Sequence, residues 1–153
     1  MSDDSKTLHY SLSIESSLAK LVDVLGWFES CHSSRIPVAS WLSIKIALAE
    51  AFTNAVRHAH AHLPPQTPVE VSMTISPTKL KFEVIDRGKQ FDLLAHLARS
   101  PTMPDVHATH GRGLHLLANI ADRLDYQRLS DDRNCLYFER SFDSENFTGD
   151  SAV

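Results

Sequence analysis

The chain has only two cysteines, no long apolar run and no excess of positive charge, and each of these absences excludes a class of protein. Cysteine occurs only at Cys31 and Cys135, without a CxxC pair, so neither a disulfide framework nor a zinc site is indicated. No apolar run approaches the ~18 residues that span a bilayer, and the acidic N-terminus lacks the basic and apolar regions of a signal peptide. The formal net charge of −4 disfavours general nucleic-acid binding. We therefore expect a cytoplasmic protein that binds neither a membrane nor nucleic acid directly.

What remains is the composition of an ordinary globular domain. The 153 residues are 42% hydrophobic and 22% charged, which is sufficient for one domain with a substantial core. We expect a flexible N-terminus over residues 1–6 and a folded domain over residues 7–142. The polar residues 143–153 are expected to form a disordered tail.

The periodicity of apolar residues predicts the order of helices and strands. Alternation predicts strands over residues 8–14, 69–76, 79–86, 123–130 and 135–142. Helical spacing predicts helices over residues 15–32, from Pro37 to about His60, and over 91–99 and 114–122, with a long loop over 100–113. A loop of this length in a compact domain is usually functional. Since strands and helices do not alternate regularly, we predict an α+β, two-layer sandwich with a mixed, mostly antiparallel sheet and helices on one face.

The second helix contains the segment "ALAEAFTNAVRHAHAH", residues 47–62, and has two distinct sides. Its predicted core face consists of Trp41, Ile44, Leu48, Ala51, Phe52 and Ala55. The opposite side carries Glu50, Asn54 and His58 at steps of four residues. Polar residues opposite a core face are usually solvated, but here they have small and apolar neighbours and few long charged ones. This pattern indicates that a ligand or a loop covers that side.

Two glycine motifs follow the helix. In "FEVIDRGKQFD", Asp86 ends a strand, where its carboxylate can accept a hydrogen bond from an exocyclic amine, and Gly88 allows close approach of a planar ring. In "THGRGLHLLANI", Gly111 and Gly113 open a helix, whose free N–H groups form an anion site. Taken alone, each motif is equally consistent with an ordinary turn. Neither is a P-loop or a Rossmann fingerprint.

In this order the three motifs resemble those of the GHKL ATPase superfamily. The closer resemblance is to the bacterial anti-sigma-factor branch, the serine-protein kinases of partner-switching systems. The motifs of that branch read E-A-x-T-N-A-x-x-H, D-x-G-x-x-F-D and G-x-G-L-x-L-[LI]-x-x-x-x-D. The resemblance covers residues 7–142 and implies the GHKL (Bergerat) ATPase fold.

The resemblance implies a site for ATP and Mg²⁺. Glu50 would be the catalytic residue, a general base on the hydroxyl of a protein serine, and Asn54 would bind Mg²⁺. Asp86 would read the adenine amino group, and residues 97–110 would form a lid over the nucleotide. The complete implied ATP-binding set is Asn54, Asp86, Gly88, Thr109, Gly111, Arg112, Gly113 and Leu114.

The chain departs from the family pattern at two places. The family often has a G-x-T element early in its last strand, with a hydroxyl near the adenine, whereas "RNC" here offers Asn134 and Cys135. Arg112 is bulkier than is usual between the two glycines, and it either contacts a phosphate or points to solvent.

The "HAHAH" run places three histidines, His58, His60 and His62, at the end of the second helix. His58 matches a frequent family position, for which we expect a structural role. A zinc site would need a third converging ligand, which the sequence does not identify.

The function implied by the resemblance is that of an ATP-dependent serine-protein kinase and anti-sigma factor. Its partners would be an anti-anti-sigma protein of the STAS type, which it phosphorylates, and a sigma factor, which it sequesters. Members of the family are commonly homodimers. The alternative is a non-catalytic, ATP-sensing binding module of a partner switch. A sensor histidine kinase and a gyrase-type ATPase are less favoured, because neither a phosphoacceptor helix pair nor a transducer domain is expected.

Overall fold

The computed structural model describes residues 5–90, 93–98 and 112–142. Residues 1–4 of the predicted flexible N-terminus and the predicted tail over 143–153 lie outside these ranges. The described strands are β1 (Leu8–Glu15), β2 (Pro68–Ile75), β3 (Lys79–Asp86), β4 (Arg123–Arg128) and β5 (Asn134–Ser141). The described α-helices are α1 (Leu21–Ser30), α2 (Val38–Asn54), α3 (Leu93–Ala98) and α4 (Arg112–Ile120), and a 3₁₀ turn (Leu18–Lys20) precedes α1.

The five strands form one sheet in the order β1-β2-β3-β5-β4. All four pairings among them are antiparallel, so the sheet is more regular than the mixed, mostly antiparallel sheet that the sequence predicts. The reason is that β2–β3 and β4–β5 form hairpins, and the two other neighbouring pairs, β1–β2 and β3–β5, also run in opposite directions. The pairing of β3 with β5 sets Asp86 opposite Asn134, which brings together residues that are far apart in the sequence.

One face of the sheet is apolar and packs against the helices, as the predicted α+β sandwich requires. Alternate residues of β2 and β3 are buried, in keeping with the two-residue period of a strand. The rings of Phe82 and Phe138 stack at a centroid distance of 4.4 Å across β3 and β5. The helices contribute Phe28, Ile44, Leu48 and Phe52, all fully buried.

Helix α2 crosses the sheet with its predicted core face inward. All six residues of that face are at most 3% exposed, which confirms the prediction made from their spacing: Trp41, Ile44, Leu48, Ala51, Phe52 and Ala55. Pro37 precedes the helix, and its carbonyl accepts the first helical hydrogen bond, from the Trp41 N–H at 2.9 Å. None of the helices in the described ranges has the length and apolar content needed to cross a bilayer.

The end of α2 widens into a π-helical turn, Ala55–Ala59, which we call the π-turn. The His60 N–H closes it by donating to the Ala55 carbonyl at 2.9 Å. Such turns are rare and occur frequently at functional sites. The π-turn begins directly after Asn54, so the predicted metal ligand lies where the helical geometry changes.

Candidate functional site

The side of α2 that carries Glu50 is covered by the first turn of α4. A Cβ atom placed on Gly113 in that turn would come within 2.5 Å of Glu50 Oε2, so a side chain there would displace the carboxylate. Because the first N–H groups of a helix have no partner within it, Glu50 lies beside hydrogen-bond donors at the positive end of the helix dipole.

Helix α4 is therefore part of the cover that the small residues of α2 indicate. On the far side of α2, Leu42 and Ile46 are 53% and 50% exposed, whereas Glu50 and Asn54 further along the helix are half-buried. The far side of α2 is thus divided along its length. Its early part faces solvent, and the part around Glu50 faces the start of α4.

Asn54 follows Glu50 by one helical turn, so the two side chains share a flank of α2. Both residues are half-buried. His58, the third residue of the predicted pattern, lies in the π-turn and is exposed. The structure thus places Gly113 against Glu50, and Asn54 lies one turn further along the same flank of the helix.

The turn after β3 docks on the π-turn. A Cβ atom on Gly88 would overlap the carbonyl group of Ala59 and would lie 2.7 Å from the Ala59 Cα. Only glycine permits this contact of backbone with backbone. The two glycine motifs therefore touch α2 and its extension at Glu50 and at Ala59, nine residues apart in the sequence. At 1.5 Å per residue this separation is about 13 Å along the helix.

His60 forms a second link between the π-turn and the turn after β3. Its Nε2 accepts a hydrogen bond from the Arg87 N–H at 2.8 Å, and the residue is only 3% exposed. Burial lowers the pKa of His60, although the nearby Asp86 carboxylate acts in the opposite direction. An imidazole that accepts a hydrogen bond at Nε2 is neutral and carries its proton on Nδ1. Among the described residues, His60 Nδ1 has no hydrogen-bond partner.

Asp86 is 2% exposed and is held from several directions. Its Oδ1 accepts hydrogen bonds from the Gly88 N–H at 2.9 Å and from the Asn134 amide at 2.8 Å. The Tyr126 hydroxyl lies 3.5 Å from its Oδ2. Burial, followed by the charge of Asp86, raises the pKa of Tyr126, so the phenol stays protonated and acts as the donor.

Asn134 and Cys135, which occupy the place of the family's G-x-T element, face opposite sides of β5. Asn134 is fully buried and faces Asp86. Successive strand residues point to opposite faces of a sheet, so Cys135 faces away from the site. Burial and then the neighbouring Glu83 raise the pKa of the Cys135 thiol to about 12. The Cys135 thiol is therefore protonated at neutral pH.

The remaining predicted site residues belong to the third motif. Arg112 is the first residue of α4, and Gly113 contacts Glu50 as described. Leu114 is only 4% exposed and its side chain packs in the core, which leaves its backbone N–H as the group that can serve a ligand. Thr109, Gly111 and the predicted lid beyond residue 98 lie outside the described residues.

Sequence reasoning misses the contacts of four residues in the region of Asp86. The sequence offers His60 only as a candidate metal ligand and Asn134 only as a departure from the family pattern. It assigns no role to Tyr126 or to Arg128, whose guanidinium donates to the Gly88 carbonyl. The available signal was the polar residue at the start of the last strand, but its partner is set by the pairing of β3 with β5. In the described ranges, no three His, Cys, Asp or Glu side chains converge as a metal site would require.

The profile of the histidine kinase-like ATPase domain matches residues 14–140, which is most of the chain and includes all three motifs. This chain belongs to the family of histidine kinase-like ATPase domains. The match confirms the resemblance to the GHKL superfamily, and membership implies ATP as the nucleotide. No curated protein matches the sequence.

The fold of this ATPase domain is also found in a crystal structure of the RsbU and RsbW domains of Rv1364c from Mycobacterium tuberculosis. The TM-score is 0.58 and the sequence identity 14%, over 90% of this chain. The matched part is 33% of the Mycobacterium chain, so the present chain spans about a third of the length of that chain. At this identity the likeness shows the fold, which confirms the predicted GHKL-type sandwich.

Proposed function

We propose that this ATPase domain is an ATP-dependent serine-protein kinase and anti-sigma factor of a partner-switching system. Its substrate would be an anti-anti-sigma protein of the STAS type, and the second partner would be a sigma factor that it sequesters. The observation that carries the proposal is the position of Glu50: its carboxylate lies at the first turn of α4, one helical turn from Asn54. We place the protein in the cytoplasm and expect a homodimer.

The residues of the described ranges fit a nucleotide bound along α2. Gly88 and Gly113 have no Cβ atom, which lets the turn after β3 and the first turn of α4 lie directly against Ala59 and Glu50. Asp86 offers a buried carboxylate to the amino group of adenine, and the start of α4 offers its first N–H groups to the phosphates. Thr109, Gly111 and Arg112 complete the proposed set around the phosphates.

Asn54 would be the residue that binds Mg²⁺. An amide oxygen is a ligand that Mg²⁺ accepts alongside phosphate oxygens and waters, and Asn54 is half-buried at the end of α2. Bound there, Mg²⁺ would neutralise charge on the phosphates.

The proposed role of Glu50 follows from what phosphoryl transfer requires. The hydroxyl oxygen of the serine attacks the γ-phosphorus of ATP, and the bond between that phosphorus and the ADP oxygen breaks. A base must accept the proton of the serine hydroxyl. Glu50 accepts that proton, while the first turn of α4 and Asn54 orient the phosphates. Transfer depends mainly on positioning and charge stabilisation, so a base and a metal ligand on one rigid helix suit the reaction.

The second candidate function is a non-catalytic module that binds ATP and a partner without transferring phosphate. The replacement of the G-x-T element by Asn134 and Cys135 favours it, because the usual hydroxyl is missing from the last strand. The retention of Glu50 favours the kinase.

Phosphotransfer from labelled ATP to candidate STAS proteins tests the proposal. The native protein should label a serine of its partner, and Glu50→Gln should bind ATP equally well and label the serine about 100-fold or more slowly. If the native protein binds ATP and labels no STAS protein, the binding module is the better description. Failure to bind ATP in the presence of Mg²⁺ would contradict both candidates.

A further inference from the structure

A chain of polar contacts runs from the buried Asp86 to the partly exposed Arg128 and involves two residues that belong to none of the three motifs. Asn134 donates its two amide hydrogens to Asp86 Oδ1 at 2.8 Å and to the Gly88 carbonyl at 2.9 Å. Arg128 Nη1 donates to the same Gly88 carbonyl at 3.0 Å and to Asn134 Oδ1 at 3.1 Å. The two side chains thus connect β4, β5 and the turn after β3.

The orientation of the Asn134 amide follows from its neighbours. Arg128 only donates hydrogen bonds, and an ionised Asp86 only accepts them. A flipped amide would set its NH₂ group against the guanidinium and its oxygen against the carboxylate. Arg128 therefore fixes Asn134 with its nitrogen toward Asp86.

The fixed amide in turn determines which oxygen of Asp86 can serve a ligand. Oδ1 already accepts hydrogen bonds from Asn134 and from the Gly88 N–H. Oδ2 has the Tyr126 hydroxyl at 3.5 Å, which is at the outer limit of a hydrogen bond. Rotation of the carboxylate would break both bonds to Oδ1, so Oδ2 is the oxygen left to accept a further hydrogen bond.

We propose that Arg128 and Asn134 are positioning residues that make Asp86 selective for a base with an exocyclic amine. The inference rests on the proposed function, because it takes Asp86 as the residue that contacts the base. An amine donates to the aimed oxygen, whereas a base without one leaves Oδ2 of the buried carboxylate with only the long contact to Tyr126. A site built to pair with a polar group rejects analogues that lack it. Arg128 and Asn134 act through Asp86 and do not touch the nucleotide.

The test compares ATP with purine riboside triphosphate, which differs from ATP only in lacking the exocyclic amine. Affinities of the full chain for both nucleotides are measured by calorimetry with Mg²⁺, for the native protein, Arg128→Met and Asn134→Ala. The native protein should prefer ATP by about tenfold, the worth of one hydrogen bond to a charged group. In both variants the preference should fall to about twofold or less.

The matched control is Arg133→Met, in the same β4–β5 hairpin. Arg133 bonds to Glu70 at 2.6 Å and to Asp131 at 2.7 Å. Arg133→Met should keep the native protein's preference for ATP over purine riboside triphosphate. Arg128→Met keeps the test valid if Asn134→Ala fails to fold, because the Arg128 side chain is 34% exposed.

The ratio of the two affinities separates positioning from general loosening of the structure. If Arg128 and Asn134 have a merely structural role, their substitution should weaken the binding of ATP and of purine riboside triphosphate equally. The ratio of the two affinities would then be unchanged, which would overturn the inference although ATP still binds. Loss of preference in Arg133→Met as well would also overturn it. Equal affinities in the native protein would mean that Asp86 does not read the amine, and no ATP binding at all would reject the proposed function too.

Discussion

Gly88 lies against the backbone carbonyl of Ala59, so the turn after β3 rests on the end of α2 without any intervening side chain. A similar relation holds at the other end of the site, where Gly113 lies against the carboxylate of Glu50. The two contacts differ in kind, because the first joins backbone to backbone and the second joins backbone to a flexible side chain. The two glycines should therefore respond differently to substitution.

Gly88→Ala should destabilise the fold, because neither backbone can move aside without breaking the hydrogen bonds around it. We expect a loss of about 1–3 kcal/mol in the free energy of unfolding, as for other overpacked sites. Urea denaturation measures it. The matched control is Gly26→Ala in α1, where a Cβ atom meets nothing within 4 Å. That substitution should stabilise the protein by up to about 1 kcal/mol, since alanine favours a helix. If Gly88→Ala and the native protein have the same free energy of unfolding, a Cβ atom at position 88 does not overlap the Ala59 carbonyl group.

Gly113→Ala should leave the fold intact and reduce phosphotransfer. The added methyl meets the end of the Glu50 side chain, which can rotate away at little cost. We expect the free energy of unfolding to change by less than about 1 kcal/mol. Phosphotransfer should nevertheless fall because the carboxylate is displaced. Parallel urea denaturation and single-turnover transfer assays distinguish the two effects, and undiminished transfer would mean that the observed position of Glu50 is not needed.

Asn54→Ala and Glu50→Gln should separate nucleotide binding from catalysis. Asn54→Ala removes the proposed metal ligand and should abolish the Mg²⁺-dependent part of ATP binding. Glu50→Gln keeps the shape of the side chain and should bind ATP normally, while transfer falls about 100-fold or more with loss of the base. Calorimetry with and without Mg²⁺ provides the binding data. Equal loss of binding in both variants would show that the roles assigned to the two residues are not distinct.

His60 should make the stability of the fold dependent on pH. Burial lowers its pKa in the folded protein below the ordinary value of 6.5, so the unfolded chain takes up the proton first as pH falls. The stability contributed by neutral His60 is therefore complete above pH 6.5 and is lost as pH falls through the lower pKa of the folded state. Urea denaturation across this pH range should show a smaller decline in the free energy of unfolding for His60→Gln than for the native protein.

The control for that prediction is His62→Gln, since His62 is exposed and lies two residues further along the chain. Its decline should match that of the native protein. If His60→Gln also follows the native curve, protonation of His60 does not contribute to the pH dependence.

Much of the fold could be predicted from local patterns in the sequence. The buried face of α2 follows from 3.6-residue periodicity, and strands β2 and β3 follow from simple alternation, because each pattern depends only on which side of an element meets the core. The three motifs were recognisable for a related reason. Each depends on residues close together in the chain, so Glu50 and Asn54 on one flank of α2 follow from their spacing alone.

Long-range pairing lies beyond such patterns. The β3–β5 register sets Asn134 opposite Asp86, and the folding of β4 against β5 brings Arg128 to the Gly88 carbonyl. Neither relation has a signature in the local sequence, because strand partners are chosen by the packing of the complete sheet.

The amino-acid sequence by itself thus determined the sandwich, the inward face of α2 and the superfamily, since these depend on periodicity and on short motifs. Only the tertiary structure decided that Gly113 meets Glu50, that His60 joins the π-turn to the turn after β3, and that Asn134 and Arg128 hold Asp86. These contacts join residues distant in the chain, and they form only when the hydrophobic core brings the helices and the sheet together.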